Sequence, residues 1–238
     1  MKIFNKKQIE FYPKNSFIKE IIPPPSPVTV PQWFKDVPLY RNGDKQLVVE
    51  NGSANYTVKR CVPFLDSFST GYTFNLWCDI QVRIINGVSI LTWKSDPNSD
   101  VLNPVIERSE GHLPIEETFL PFTFSWISHW GIKTPKGYSC IFTHPFNRTD
   151  LPFITTTGIM DTDKWGIWGN QPFALKKDWE GVIVSGTPII QVIPFKRENW
   201  TSSINENLTK WANIENTKRT SLFSGYYKKY FWSKKSYK

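Results

Sequence analysis

Residues 125–153 read Ser-Trp-Ile-Ser-His-Trp-Gly-Ile-Lys-Thr-Pro-Lys-Gly-Tyr-Ser-Cys-Ile-Phe-Thr-His-Pro-Phe-Asn-Arg-Thr-Asp-Leu-Pro-Phe, and residues 186–197 read Gly-Thr-Pro-Ile-Ile-Gln-Val-Ile-Pro-Phe-Lys-Arg. Short apolar runs alternate with Pro, Gly and Asn at the spacing of strands, and no run is long enough for a core helix. Working outward, Gly71–Asp79, Gln81–Ile85 and Val88–Trp93 read as a meander. Asn86-Gly87 between the last two is a strong hairpin signal, because both turn residues must take positive φ. Thr57–Leu65 reads as a strand interrupted by Pro63. Phe119–Trp126, Gly137–Thr143, Leu151–Met160, Asp178–Val184 and Ile189–Phe195 continue the series. Lys94–His112, polar and rich in Asp, Asn and Ser, reads as a long surface loop.

Eight to ten strands without helical crossovers must close on themselves or pair into two sheets to hide their edges. The expected fold is therefore all-β: an antiparallel sandwich or small barrel, of jelly-roll or β-clip type. Its flanks differ. Residues 1–36 hold a possible edge strand (Ile3–Tyr12), then Ile21-Ile-Pro-Pro-Pro-Ser-Pro-Val-Thr-Val-Pro31, whose prolines fix φ and remove donors. They read as an extended N-terminal arm ending in Trp33-Phe34, rings that either plug the domain's own core or dock on another subunit. Residues 37–200 form the β domain. Residues 201–238 hold a helix, with Ile204, Leu208, Trp211 and Ala212 on one stripe and Ser203 with Glu206 as a capping box. A basic, ring-rich tail ends the chain.

Of 238 residues, 39% are hydrophobic and 16% aromatic, which is ample for one ring-rich core. The formal charge of +8 is unevenly spread: Lys218, Arg219, Lys228, Lys229, Lys234, Lys235 and Lys238 follow one another with no carboxylate between, and the remainder stands near +1. Cys61, Cys78 and Cys140 are odd in number and lack CxxC spacing, which argues for a reducing compartment and against a disulfide framework or zinc knuckle. Glu10 falls where the apolar core of a signal peptide would stand, and no run of 18 apolar residues exists. The expected location is the cytoplasm of the host cell, with the virion as the alternative.

Arg60-Cys-Val-Pro-Phe, Ser67–Gly71, Trp130-Gly-Ile-Lys-Thr-Pro-Lys-Gly-Tyr-Ser, Thr143-His-Pro-Phe-Asn-Arg148, Gly158-Ile-Met-Asp-Thr-Asp163 and residues 186–197 together resemble a conserved, uncharacterised family. It is found in bacteria and in the contractile-tailed phages of marine cyanobacteria. The resemblance spans roughly residues 30–200 and implies a stand-alone globular protein with no established activity. A fainter resemblance, in motif order, is to the dUTPase and dCTP deaminase superfamily. It would make Arg148 a phosphate-holding residue and Asp161 a water-activating or sugar-reading one. The chain departs from that pattern: Thr149 follows Arg148 where Ser is expected, the Arg-to-Asp spacing is short, and Trp165-Gly stands in place of Tyr-Arg-Gly.

Residue chemistry narrows the function classes. None of His112, His129 and His144 has the acid two residues on that an iron facial triad uses. Ser139-Cys140 lacks a nucleophile elbow, and Gly166-Ile-Trp-Gly169 is no phosphate loop. Asp161 and Asp163, at i and i+2, point the same way off a strand and suit cation holding or water activation; a solvated turn with side-chain capping is the bland alternative.

Two functions stay open. One is a non-enzymatic phage-type binding or assembly protein that uses Trp33 and Phe34 of the arm and Tyr226, Tyr227, Lys228, Lys229, Tyr230, Phe231 and Trp232 of the tail. Its partner is a protein, a second copy, or nucleic acid held by the tail's cations and rings. The other is a small-molecule or nucleotide-related enzyme or binding protein, with Asp161, Asp163, His144 and Arg148 lining its pocket. No metal or cofactor is expected.

Overall fold

A computed structural model describes residues 7–41, 55–94, 102–111, 114–221 and 225–238. It contains fourteen strands, all antiparallel: β1 (Glu10–Pro13), β2 (Ser26–Pro27), β3 (Tyr72–Asn75), β4 (Ile80–Ile85), β5 (Val88–Trp93), β6 (Val105–Gly111), β7 (Phe122–Ile127), β8 (Trp130–Lys133), β9 (Tyr138–Thr143), β10 (Phe153–Thr155), β11 (Gly158–Met160), β12 (Asn170–Leu175), β13 (Gly181–Ile183) and β14 (Pro188–Lys196). The helices are short: α1 (Ser16–Ile21), α2 (Gln32–Asp36), α3 (Val62–Ser67), α4 (Leu208–Ser221) and α5 (Tyr226–Tyr230). The strands form four sheets, ordered β1-β8, β10-β12-β7-β6, β11-β9-β14-β3-β2 and β13-β4-β5. This is a β-sandwich, and no sheet among the described residues closes into a barrel.

Two compact units emerge. The first gathers residues 1–28, 71–197 and 238 and holds every strand; the second gathers 29–70 and 198–237. The grouping differs from a division into arm, domain and tail, because residues 29–70 cluster with the C-terminal segment.

In the first unit, β14 is the central strand of the five-stranded sheet, paired with β3 on one side and with β9 from Gln191↔Thr143 to Lys196↔Tyr138 on the other. Its Ile189, Ile190 and Val192 are buried, as are Phe74, Trp126, Phe153, Phe173 and Leu175. Trp126 stacks on Phe173 with ring centres 3.7 Å apart. The Asn86-Gly87 turn forms as the sequence predicts, with φ of 52° and 78° joining β4 to β5.

Several local readings change. Thr57–Leu65 is not a strand: a short 3₁₀ turn over Val58–Arg60, capped by Thr57, leads into α3. Pro63 lies in the first turn of α3, where its missing N–H has no partner to lose. The polar stretch after Lys94 is not all loop, for Val105–Gly111 pairs with β7 as an edge strand. Residues 151–160 split into β10 and β11, which belong to different sheets. Strands β8 and β12 do not stand out in the sequence, since Gly131 and Pro172 interrupt their patterns. The N-terminal segment is not wholly extended; Asn15 caps α1 by accepting from Ile18 N.

Candidate functional site

Both chemical candidates sit at the ends of β9. Strand β9 is flanked by β11 and β14, and Met160↔Cys140 and Lys196↔Tyr138 are neighbouring pairs. The start of β9 and the ends of β11 and β14 therefore converge, bringing Ser139, Asp161, Asp163 and Arg197 together. Arg197 Nη1 donates to Asp163 Oδ1 at 2.8 Å, Nη2 donates to Asp163 Oδ2, and Nη1 also donates to Ser139 Oγ at 2.8 Å and Tyr138 O at 3.0 Å. Asp161 Oδ1 lies 3.1 Å from the same Nη1 and accepts from Ser139 Oγ at 2.7 Å. Gly137 N donates to Asp163 Oδ2 at 2.8 Å.

These partners hold both carboxyls below the usual carboxylate range. For Asp161 the largest cause is the Ser139 hydrogen bond, and for Asp163 it is the Arg197 guanidinium. A carboxylate clamped this way is a poor proton carrier at neutral pH. The arrangement instead ties three strand ends with one cation. Lys164 adds a looser contact at 3.7 Å from Asp161. No group of three or more His, Cys, Asp or Glu among the described residues is placed to hold a metal ion.

Arg197→Met leaves two carboxylates facing each other without their guanidinium. Both pKa values rise back toward the ordinary range. Stability from such lowered groups is present above the unfolded value near 3.8 and lost as pH falls through the folded values. Acid unfolding of the variant is therefore expected at higher pH than in the parent, read by circular dichroism. An unchanged acid midpoint rejects this role.

His144 and Arg148 lie at the other end of β9. Five residues of strand separate Ser139 from His144, about 17 Å at roughly 3.3 Å per residue. The four candidate residues are thus not brought into one pocket. Arg148 is paired bidentately with Asp150 at 2.8 Å. His144 Nδ1 accepts from Thr155 N and its Nε2–H donates to Arg148 O at 3.1 Å, so the ring is neutral with its tautomer set. His129 is likewise buried, with Nε2–H donating to Asn103 O. His112 lies outside the described residues. A cavity of about 40 Å³ among Phe74, Trp130, Phe142, Met160, Gln171 and Ile190 has room for a few waters, and none of the four candidates lines it.

Burial, the largest cause, pushes both imidazoles below their ordinary pKa; Arg148 and Asp150 act on His144, and Lys14 acts on His129. The unfolded chain titrates near 6.5. Below that pH it binds more protons than the folded chain, so stability falls as pH drops from about 6.5 until the folded values are passed. A lower denaturation midpoint at pH 5 than at pH 8 is the expected result, and equal midpoints contradict it.

The second unit carries the partner-binding candidates. Phe34 is buried against Phe64 and Phe68, with Trp33 packed edge-on to Phe34 and Phe68 and partly exposed. Phe34 is therefore a core ring of its own unit. Trp232 is similarly engaged: its Nε1–H donates to both oxygens of Asp66, on α3, and Lys235 Nζ donates to the same carboxylate at 2.6 Å. Tyr226 packs on Tyr230 and Phe231 and donates from its hydroxyl to Glu215 at 2.9 Å. Tyr227, Tyr230 and Phe231 stay exposed, as do Lys228 and Lys229.

The capping box at Ser203 is not formed. Asn205 Oδ1 accepts from Asn207 N and Asn205 O from Leu208 N, so a local turn takes the backbone and α4 starts at Leu208. The apolar stripe expected there stands in solvent: Ile204 is 95% exposed, Leu208 and Trp211 are each more than half exposed and Ala212 is exposed; Trp200, at 85%, and Ile214, outside that stripe, are exposed as well. The i, i+4, i+7 spacing marks Ile204, Leu208 and Trp211 as one helical face but does not tell a buried face from an exposed one, and it does not mark Trp200 or Ile214. No helix among the described residues is long and apolar enough to cross a membrane. Comparison with protein-family models, with curated proteins and with solved structures finds no match to this chain.

Proposed function

We propose that the protein is a non-enzymatic binding or assembly module, of the phage type its sequence resembles, which grips a protein partner through residues 200–231 in the host cytoplasm. The observation that carries this reading is the run of Trp200, Ile204, Leu208, Trp211 and Ile214 left in water. Surface apolar residues scattered singly need no explanation, but five in succession on one segment mark an interaction surface. Burying a Leu, Ile or Trp side chain contributes about 1.5–3 kcal/mol each, enough for a few anchors to dominate an interface. Lys210, Lys228 and Lys229 lie along the same stretch. An acidic partner with an apolar groove fits both features.

The groups that would serve catalysis are, in contrast, occupied with each other. Asp161 and Asp163 neutralise Arg197, and both His144 nitrogens are bonded to backbone. The test is a thermal-shift panel of divalent cations and nucleotides at millimolar concentration on the full chain. Under this reading the melting temperature does not move. A saturating ligand would raise it by several degrees, and a rise that Asp161→Ala abolishes overturns the proposal in favour of a small-molecule site.

A further inference from the structure

The three-stranded sheet β13-β4-β5 has two unlike margins. On the β13 side the strand is only three residues long, and where it stops Glu180 Oε1 accepts from Ile84 N at 2.7 Å, closing the next donor of β4. On the other side β5 runs six residues with no second neighbour among the described residues. It contains no Pro, no charge and no bulge, the devices by which edges are ordinarily blunted. Its outward-facing residues are Val88, Ile90 and Thr92, standing opposite Ile85, Arg83 and Gln81 of β4, with Val182 of β13 beside Gln81, so the face is mixed, and its one charge, Arg83, sits on β4 and not on the edge strand. Ile85, Val88, Ile90 and Val182 are all exposed, Val88 to 61%. An unpaired, uncharged edge strand is the arrangement that accepts another strand.

We propose that β5 pairs antiparallel with β5 of a second copy of this chain across a two-fold axis at Ile90, giving the continuous sheet β13-β4-β5-β5-β4-β13. Side-chain parity requires residues on one face to oppose residues on the same face. That register sets Ile90 against Ile90 and Val88 against Thr92, which are β-branched pairs that suit a pleated surface. Charge favours a second copy despite the +8 of the whole chain, because Ile84–Trp93 carries no ionisable residue. The nearest cations, Arg83 of each β4, stand three strand spacings apart, about 14 Å, beyond the range of strong repulsion at physiological salt. The surface lies wholly within the first compact unit and is independent of the 200–231 segment.

Sedimentation equilibrium of the full chain, from low to high micromolar, reads this directly. A reversible dimer is expected. Ile90→Lys places two ammonium groups face to face and weakens it by roughly tenfold or more. Ile90→Cys forms an interchain disulfide under mild oxidation, which the parent with its exposed Cys61 does not. Should Ile90→Lys fail to fold by circular dichroism, Thr92→Lys at the exposed position opposite Val88 serves the same purpose. A monomer throughout the range overturns the proposal, and so does a dimer that the lysine variants leave intact. A dimer abolished by Trp211→Glu instead places self-association on the C-terminal segment and also rejects it.

Discussion

Trp126→Ala is expected to lower the melting temperature by roughly 10 °C. The indole is fully buried on β7, stacked on Phe173 of β12 at 3.7 Å and edge-on to Phe153 of β10 at 4.9 Å. Its Nε1–H donates to Thr155 Oγ1 at 3.0 Å, and that hydroxyl donates onward to Ile189 O on β14 at 2.8 Å. One side chain therefore packs three strands of one sheet and, through Thr155, reaches the central strand of another. Truncation removes the largest fully buried side chain and leaves a cavity, a loss of about 3–5 kcal/mol for Trp→Ala, and each kcal/mol moves a domain of this size by about 2–4 °C. Trp126→Phe keeps a six-membered ring but loses the fused five-membered ring with its N–H, leaving a smaller cavity, so it should cost less than Ala, about 1–3 kcal/mol. The order parent, Phe, Ala in differential scanning calorimetry checks the assignment. A loss below about 1 kcal/mol for Ala would mean that the sheets do not meet on this ring.

Gly71→Ala is the second large effect. Gly71 precedes β3 with φ of +81°, and a Cβ built there would lie 2.1 Å from Val192 O on β14. The substitution is both strained and sterically blocked by a ladder that cannot yield without moving a core strand. The two costs together reach about 3 kcal/mol or more. Gly87 supplies the control. Its φ is +78° in the Asn86-Gly87 turn, yet no atom lies within 4 Å of the equivalent Cβ. Gly87→Ala thus costs the left-handed strain alone, about 1–2 kcal/mol. Urea denaturation of both variants separates the contributions, and equal losses would show that close approach to Val192 is not the reason for glycine at position 71.

The architecture was readable in the sequence wherever a local rule has one solution. Short apolar runs bounded by Gly, Pro and Asn in Gln81–Ile85, Val88–Trp93, Gly137–Thr143 and Ile189–Phe195, with Asn-Gly at the turn, admit strands and little else, and the antiparallel sandwich follows from the need to pair their edges. Short segments were misread where two solutions compete. Pro63 can break a strand or open a helix, and only the packing of Phe64 and Phe68 against Phe34 decided for the helix. Ser203 and Glu206 can cap a helix, but Ile204 is left exposed among the described residues and the turn at Asn205 prevails.

What the sequence determined by itself is the all-β character, the hairpin at Asn86-Gly87, and the concentration of cations after Lys218, because periodicity, turn chemistry and charge are properties of neighbours along the chain. What only the tertiary structure decided is which carboxylates face which cations and which apolar residues remain wet. Arg197 lies 34 positions from Asp163 and becomes its partner because β9 sits between β11 and β14. Likewise, nothing local distinguishes an apolar stripe that will be buried from one that will not. That depends on whether the rest of the fold supplies a surface to cover it, and for Trp200 to Ile214 the described chain supplies none.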